Sequence, residues 1–329
     1  IDAVGFQLGE FRTIEAEELE RDADLALYRA KSLGKNRFTI FETEMHIDAV
    51  RRMELTGELR RAIELRQLDV AYQPIVSLET GAIAGVEALA RWHHPTRGTI
   101  PPDVFIPLAE ETGLIAAIGR LILGKALADA RRWHDEHPAH LTLRVAVNLS
   151  ARQLGEDDAV TDVAAALRST GIDPQTVIIE LTESALMPGE GVTVDRLTEL
   201  SELGVHLFID DFGTGWSSLQ RLRALPVGGV KLPREFVTEL PGPDGVGLAR
   251  AVRDLTTTLG LESAVAEGIE RPEQRLALRQ LGYRLGQGFL LGRPMPAAEL
   301  ARVLRLTPSC GWDAPAGSEP AITLEDFAG

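Results

Sequence analysis

Between about residue 70 and residue 306, apolar runs of strand length alternate with longer stretches whose apolar residues recur at helical spacing. The strand-like runs are 70–78, 82–92, 142–150, 176–184, 205–212, 228–233, 262–269 and 285–292. They are rich in β-branched residues and nearly continuous in hydrophobicity, as strands covered on both faces are. Helical periodicity fills 120–134, 159–170, 192–203, 246–259, 273–281 and 297–306. About eight strands with intervening helices over about 240 residues predict an α/β fold, a TIM-like (β/α)8 barrel. An open doubly wound sheet satisfies the same periodicity. The first two runs are joined only by ETGA (79–82), too short for a crossover helix. They form a hairpin, so one strand runs antiparallel to the rest.

The flanks differ from this core. Residues 1–42 are short and mixed, and 43–68 lack proline and read as one long amphipathic linking helix. The alternating domain is taken as 69–307. From residue 308 to 329 Pro, Gly, Ala and Ser predominate, and a loose tail is expected. Hydrophobic residues are 44% and charged residues 25% of the 329, a globular balance, and aromatics are only 5%, so aliphatic side chains must fill the core. The net charge of −15 argues against a nucleic-acid partner, since a basic face supplies most of that affinity. Cys310 stands alone, which excludes an intrachain disulfide and fits a cytoplasmic setting. No apolar run reaches the ~18 residues of a membrane span, so no membrane contact is expected of this stretch. The chain starts at Ile1 in mid-pattern and reads as a fragment, with any anchor lying upstream.

The chemistry lies where the apolar runs end. Glu87 falls in the second run, Asn148 closes the third, Glu180 and Glu183 the fourth, and Asp210 and Asp211 the fifth. Lys231 ends the sixth, Glu267 and Glu270 the seventh, and Gln287 opens the eighth. A single carboxylate at a strand end is commonly a helix cap or a solvated loop residue. A barrel, however, gathers the C-terminal ends of its parallel strands on one rim. Carboxylates so gathered repel and need compensation, and oxygen donors suit a hard divalent cation such as Mg2+ or Mn2+. Two such ions can hold an attacking water and clamp a phosphodiester. Zinc is disfavoured, because the one cysteine lies in the tail and no histidine pair has ligand spacing. His93 and His94, before Pro95, read as structural residues opening a loop. Gly213 and Gly215 permit a tight loop after the acidic pair, and Ser217 and Ser218 read as a helix N-cap.

Taken together and in order, YQPI (72–75), EALARW (87–92), NLS (148–150), ELTE (180–183), DDFGTGWSSL (210–219), AEGIE (266–270) and QGF (287–289) resemble the EAL family of cyclic di-GMP phosphodiesterases over residues 66–306. The resemblance implies a barrel with an antiparallel first strand, and metal-dependent hydrolysis of cyclic di-GMP to linear pGpG using two Mg2+ or Mn2+ ions. It implies metal ligation by Glu87, Asn148, Glu180, Asp210, Asp211 and Glu267. Ligand contacts are expected from Gln73, Glu87, Leu89, Arg91, Asn148 and Gln287, and catalytic roles for Glu267, Lys231 and Asp211. Glu183, Gly213 and Gly215 are expected to organise a loop that couples a homodimer to activity.

The family pattern Lys-x-Asp after the sixth strand is VKLPREF here, so Pro233 replaces the aspartate. Proline offers neither a carboxylate nor a backbone donor. A receptor that binds cyclic di-GMP without cleaving it is therefore the alternative to an enzyme. A third reading, a barrel enzyme acting on sugars or phosphorylated metabolites, requires the motif order to be coincidence. Residues 22–41 (DADLALYRAKSLGKNRFTIF) resemble the last helix and strand of a GGDEF cyclase domain, so 1–42 is expected to be the C-terminal remnant of one.

Overall fold

The computed structural model describes residues 16–32, 38–155, 158–186, 194–215, 222–307 and 312. Helices α1 (Ala16–Ser32) and α2 (Thr43–Glu64) precede the barrel, and the chain turns out of α2 at Arg66, whose φ is 54°. Strand β1 (Leu68–Ser77) then pairs antiparallel with β2 (Ile83–His94), Gln73 opposite Glu87 and Leu68 opposite Trp92. After β2 a short β3 (Gly98–Ile100) folds back on it, followed by α3 (Pro102–Thr112), α4 (Ile115–Glu136) and β4 (Arg144–Asn148). The chain continues through α5 (Ala151–Gly155), α6 (Ala159–Thr170), β5 (Val177–Thr182), α7 (Val194–Glu202), β6 (His206–Asp210) and β7 (Gly229–Leu232). The remaining elements are α8 (Arg234–Thr238), α9 (Pro243–Thr258), β8 (Ser263–Ala266), α10 (Pro272–Gln280), β9 (Leu285–Gly286), β10 (Met295–Pro296) and α11 (Ala297–Leu306).

The sheet runs β1-β9-β8-β7-β6-β5-β4-β2, and β2 pairs with β1 again. This closes an eight-stranded barrel and removes the open-sheet alternative. Strand β1 is antiparallel to both neighbours, whereas β2 and β4 to β9 pair in parallel. The main core lies between strands and helices. Helix α4 contributes Ile118, Ile122, Ala126, Leu127 and Trp133 to it. Tyr72 of β1 meets Trp133 edge-on, its ring centroid 4.7 Å away, and its hydroxyl donates to Asp129 Oδ2 at 2.7 Å. A second apolar cluster fills the barrel interior: Ile75, Ala84, Ala146, Ile178, Phe208, Val265, Leu285 and Trp312.

Three local differences from the sequence reading have physical causes. Residues 98–112, to which the periodicity assigned no element, hold a strand and a helix. Pro102 sits in the first turn, where its missing N–H costs nothing, and Gly113 ends the helix at φ 74°. Of the run 285–292 only Leu285–Gly286 is strand; the rest turns, with Leu291 N and Gly292 N both donating to Gly288 O at 3.0 Å. His93 and His94 end β2 rather than opening a loop, and His94 Nδ1 accepts from Arg97 N at 3.1 Å. The expectations for residues 1–15, for Ser217 and Ser218, and for the tail other than Trp312 fall outside the described residues. Among the described residues no helix is long and apolar enough to cross a membrane.

Candidate active site

In an extended strand, residues two apart face the same side. On β4, β5 and β6 this places Asn148, Glu180 and Asp210 inside the barrel at its C-terminal rim, and Lys231 of β7 faces inward with them. Glu87 arrives from β2, Glu267 from just past β8, and Gln287 from just past β9. Gln73 comes from β1, which runs the other way.

The centre of the site is the Lys231 ammonium, on a residue 1% exposed to solvent. It contacts Glu267 Oε1 at 2.5 Å, Glu180 Oε2 at 3.0 Å, Glu87 Oε2 at 3.3 Å and Asp210 Oδ1 at 3.5 Å. Burial opposes its charge, but these four carboxylates outweigh burial and hold its pKa well above the usual lysine value. An amide network fixes the near side. Asn148 Nδ2 donates to Glu87 Oε1 at 2.8 Å, and Gln287 Nε2 donates to Glu87 Oε2 at 2.7 Å and to Gln73 Oε1 at 2.9 Å. Gln73 Nε2 donates to Gly292 O at 3.0 Å. Glu87 is pushed up by burial, yet Lys231 and the two amides leave its pKa below the ordinary value.

Elsewhere negative charge is in excess. Burial and the charges of Glu87, Asp210 and Glu267 carry Glu180 well above its usual pKa despite Lys231. Burial, with Asp210 and Glu87, lifts Glu267 to about 8. Burial, Asp210 and Glu235 raise Asp211. Asp211 has a left-handed backbone, φ 53°, which turns its carboxylate out of line with Asp210. Oxygens of Asp210, Asp211 and Glu267 come within 4.8 Å of one another, a spacing able to hold a cation. Gln287 Oε1 is buried with no hydrogen-bond partner among the described residues. An all-oxygen set with one ammonium for five carboxylates, and an amide oxygen left over, suits a hard divalent metal ion.

The loop after the acidic pair hangs from Glu183, whose Oε2 accepts from Gly213 N at 2.7 Å and Gly215 N at 3.2 Å. Residues 216–221 of that loop lie outside the described residues. Arg91 is half-buried on β2, four residues beyond Glu87 toward the rim, and burial lowers its pKa against the pull of Glu87. Leu89 lines a cavity of about 460 Å3 beside the cluster, with Pro102, Ile106, Ile115, Ile118 and Leu149, and Glu110 reaches its wall. Glu270 does not join the site: its Oε1 pairs with Arg234 Nη2 at 2.9 Å. Pro233 is the N-cap of α8, at φ −66° and ψ 154° and without a side-chain hydrogen bond. The cavity, the approach of Glu235 to Asp211, and Arg293 stacked over Phe289 at 4.4 Å have no signature in the sequence.

Residues 56–294 match the family model described as EAL domain. The bifunctional diguanylate cyclase/cyclic di-GMP phosphodiesterase MucR of Pseudomonas aeruginosa is 44% identical over 284 residues, 86% of this chain and 41% of MucR. The cyclic di-GMP phosphodiesterase PdeR of Escherichia coli is 36% identical over 301 residues, 91% of this chain and 45% of PdeR. The chain thus spans less than half the length of these curated relatives. The solved PaMucR phosphodiesterase in complex with c-di-GMP superposes with a TM-score of 0.71 at 44% identity, covering 75% of this chain and 99% of that one. With the matched region spanning most of the barrel, the chain belongs to the EAL domain family.

Proposed function

We propose that the rim cluster binds cyclic di-GMP and, loaded with two Mg2+ or Mn2+ ions, hydrolyses one of its phosphodiester bonds to linear pGpG. The observation that carries this reading is the buried Lys231 ammonium ringed by four carboxylates from four strand ends, in a chain 44% identical to the c-di-GMP-bound PaMucR domain. We assign Glu87, Asn148, Glu180 and Asp210 to one ion and Asp210, Asp211 and Glu267 to the other. When bound, such ions would supply a water activated for in-line attack and would neutralise charge on the phosphate. Glu267, just past the end of β8 and beside Asp210 and Asp211, is the carboxylate placed to accept a proton at that position. Lys231 holds Glu180 and Glu267 in place and offers positive charge to the developing oxyanion. Arg91, Gln73 and Gln287 bind and orient the phosphodiester. The cavity beside Leu89 has room for a purine, and Glu110 offers a carboxylate acceptor for the N–H edge of guanine. On this reading the protein works in the cytoplasm as a homodimer, with Glu183, Gly213 and Gly215 coupling assembly to the site, and α2 linking it to a GGDEF remnant in residues 1–42.

A second reading, a receptor that binds without turnover, is favoured by Pro233, which supplies no carboxylate beside Lys231. Incubation of the chain with cyclic di-GMP and Mn2+, with chromatographic separation of the products, decides. Linear pGpG is expected. Binding without product would establish the receptor, and neither binding nor product would refute both readings.

A further inference from the structure

The barrel interior is built in layers, and each group of the site stands on an identifiable neighbour. Two residues below Asn148, Glu180, Asp210, Glu267 and Gln287 lie Ala146, Ile178, Phe208, Val265 and Leu285; on the reversed strand Ile75 lies two from Gln73. Since residues two apart on a strand share a face, this apolar layer is the floor on which the polar groups rest. Under Glu87 and Lys231 the same position is glycine, Gly85 and Gly229. The two gaps are filled by rings. A Cβ on Gly85 would come 2.8 Å from Trp312, and one on Gly229 would come 2.5 Å from Phe208.

Trp312 comes from the stretch expected to be a loose tail, yet it is 4% exposed and belongs to the interior cluster. It meets Phe208 edge-on at 5.9 Å, and the Arg144 guanidinium lies over its ring, 5.1 Å from the centroid. Arg144 Nη1 and His206 Nδ1 both reach Glu262 Oε2, at 3.3 and 3.2 Å, so a polar ring surrounds the ring's entry point. Just upstream, the buried His140 ties down the end of α11: its Nε2 reaches Leu304 O at 2.9 Å and Thr307 O at 3.0 Å. The chain is therefore latched before it delivers Trp312 into the mouth of the barrel opposite the active site.

We propose that Trp312 is a positioning residue for the acidic cluster. It braces Phe208, which pairs in register with Glu180 and lies two residues below Asp210, and so keeps the carboxylates at cation-binding separation. The inference rests on the function proposed above but is tested separately from it. Packing is the coupling: an interior at crystal-like density transmits a void as displacement. Carboxylates that lose their support lose metal affinity, typically by about 10- to 100-fold.

The test uses the whole chain and Mn2+ alone, titrated with free Mn2+ read by electron paramagnetic resonance, alongside thermal melts and hydrolysis kinetics. Trp312→Ala is expected to weaken Mn2+ binding at least about tenfold and to lower kcat with little change in KM. Trp312→Phe keeps the edge contact and removes an indole N–H that has no partner among the described residues, so it should restore Mn2+ affinity to near wild type. Leu300→Ala, in the core beneath α11, should lower the melting temperature without changing Mn2+ affinity. Should Trp312→Ala fail to fold, Trp312→Leu takes its place in the comparison. Wild-type Mn2+ affinity in the folded Ala or Leu variant would overturn the proposal. So would an equal affinity loss in Leu300→Ala, which would make the effect one of general stability. Absence of hydrolysis in the wild type would sink the enzymatic reading while the Mn2+ titrations still decide this one.

Discussion

Replacing Lys231 with methionine keeps a long unbranched apolar stem and removes the charge at the centre of the site. The ammonium touches Glu267, Glu180, Glu87 and Asp210 and is 1% exposed, so no water takes its place freely. Truncating one partner of a buried ion pair costs about 3–5 kcal/mol, and here the cost depends on pH with a definite sign. Glu267 titrates near 8 and Glu180 is raised well above its ordinary value, so both bind a proton more tightly in the fold than in the unfolded chain. A carboxyl raised in this way contributes stability that is complete below its unfolded pKa and is lost as pH climbs through the folded one. In the variant Glu87 shifts upward too, because burial raises it and Lys231 is the largest influence holding it down. Each proton that the variant's fold retains and the wild type's does not makes the variant fall further behind by ~1.4 kcal/mol per pH unit, which is ~2.7 kcal/mol between about pH 6 and pH 8 for one proton held throughout. Urea unfolding of both proteins in chelator at those two pH values measures this gap. Mn2+ should narrow the gap at the higher pH by restoring positive charge, while hydrolysis by the variant stays lost. A gap of the same size at both pH values would refute the electrostatic account of the site.

Pro233→Asp should raise the hydrolysis rate about tenfold, ~1.4 kcal/mol of barrier, with cyclic di-GMP affinity, measured in Ca2+, nearly unchanged. The backbone already has the N-cap conformation that aspartate favours, so α8 should also gain about 1 kcal/mol; equal rates would mean that the missing carboxylate is compensated elsewhere. Glu183→Ala should remove the shared acceptor of the loop amides and speed hydrogen exchange at Gly213 and Gly215. Unchanged exchange at both would show that another contact holds the loop.

Much of the fold was legible because the signals were local. The helix at 159–170 and the helix at 297–306 match their periodicity residue for residue, since both have an unbroken apolar stripe and a clear stop. The hairpin was forced by the short ETGA connection, and the antiparallel β1 follows from it. Closure was not legible in the pattern itself. It consists of β1 pairing with both β2 and β9, a contact over more than 200 residues of chain that no periodicity records. Helix α3 was not assigned from the pattern; it forms with Pro102 in its first turn and Pro107 in its interior. Trp312 was hidden by its neighbours, because tail-like composition says nothing about one ring finding a cavity.

The site shows the same boundary between what the runs of sequence reveal and what register decides. Carboxylates ending successive apolar runs pointed to the rim, but Glu183 and Glu270 end runs too and do different work, one holding backbone amides and the other pairing with Arg234. The difference is parity and stagger. Glu183 lies an odd number of residues beyond Glu180 and so leaves the inward face. Neighbouring strands are also offset: Asn148 is level with Glu180, but Glu180 is level with Phe208, which leaves Asp210 one pleat higher, beside Thr182. That offset is the shear that closes a barrel. It turns a ring of strand ends into a slanted cleft, with Glu87, Glu180 and Lys231 in its buried floor and Asp211 at its exposed lip. A hydrophobic run locates a strand end only to within a residue or two, and one residue reverses a side chain's direction. Which side chains gather at the rim was therefore readable in the sequence, while their depth, and the convergence of four carboxylates on one lysine, was fixed by register.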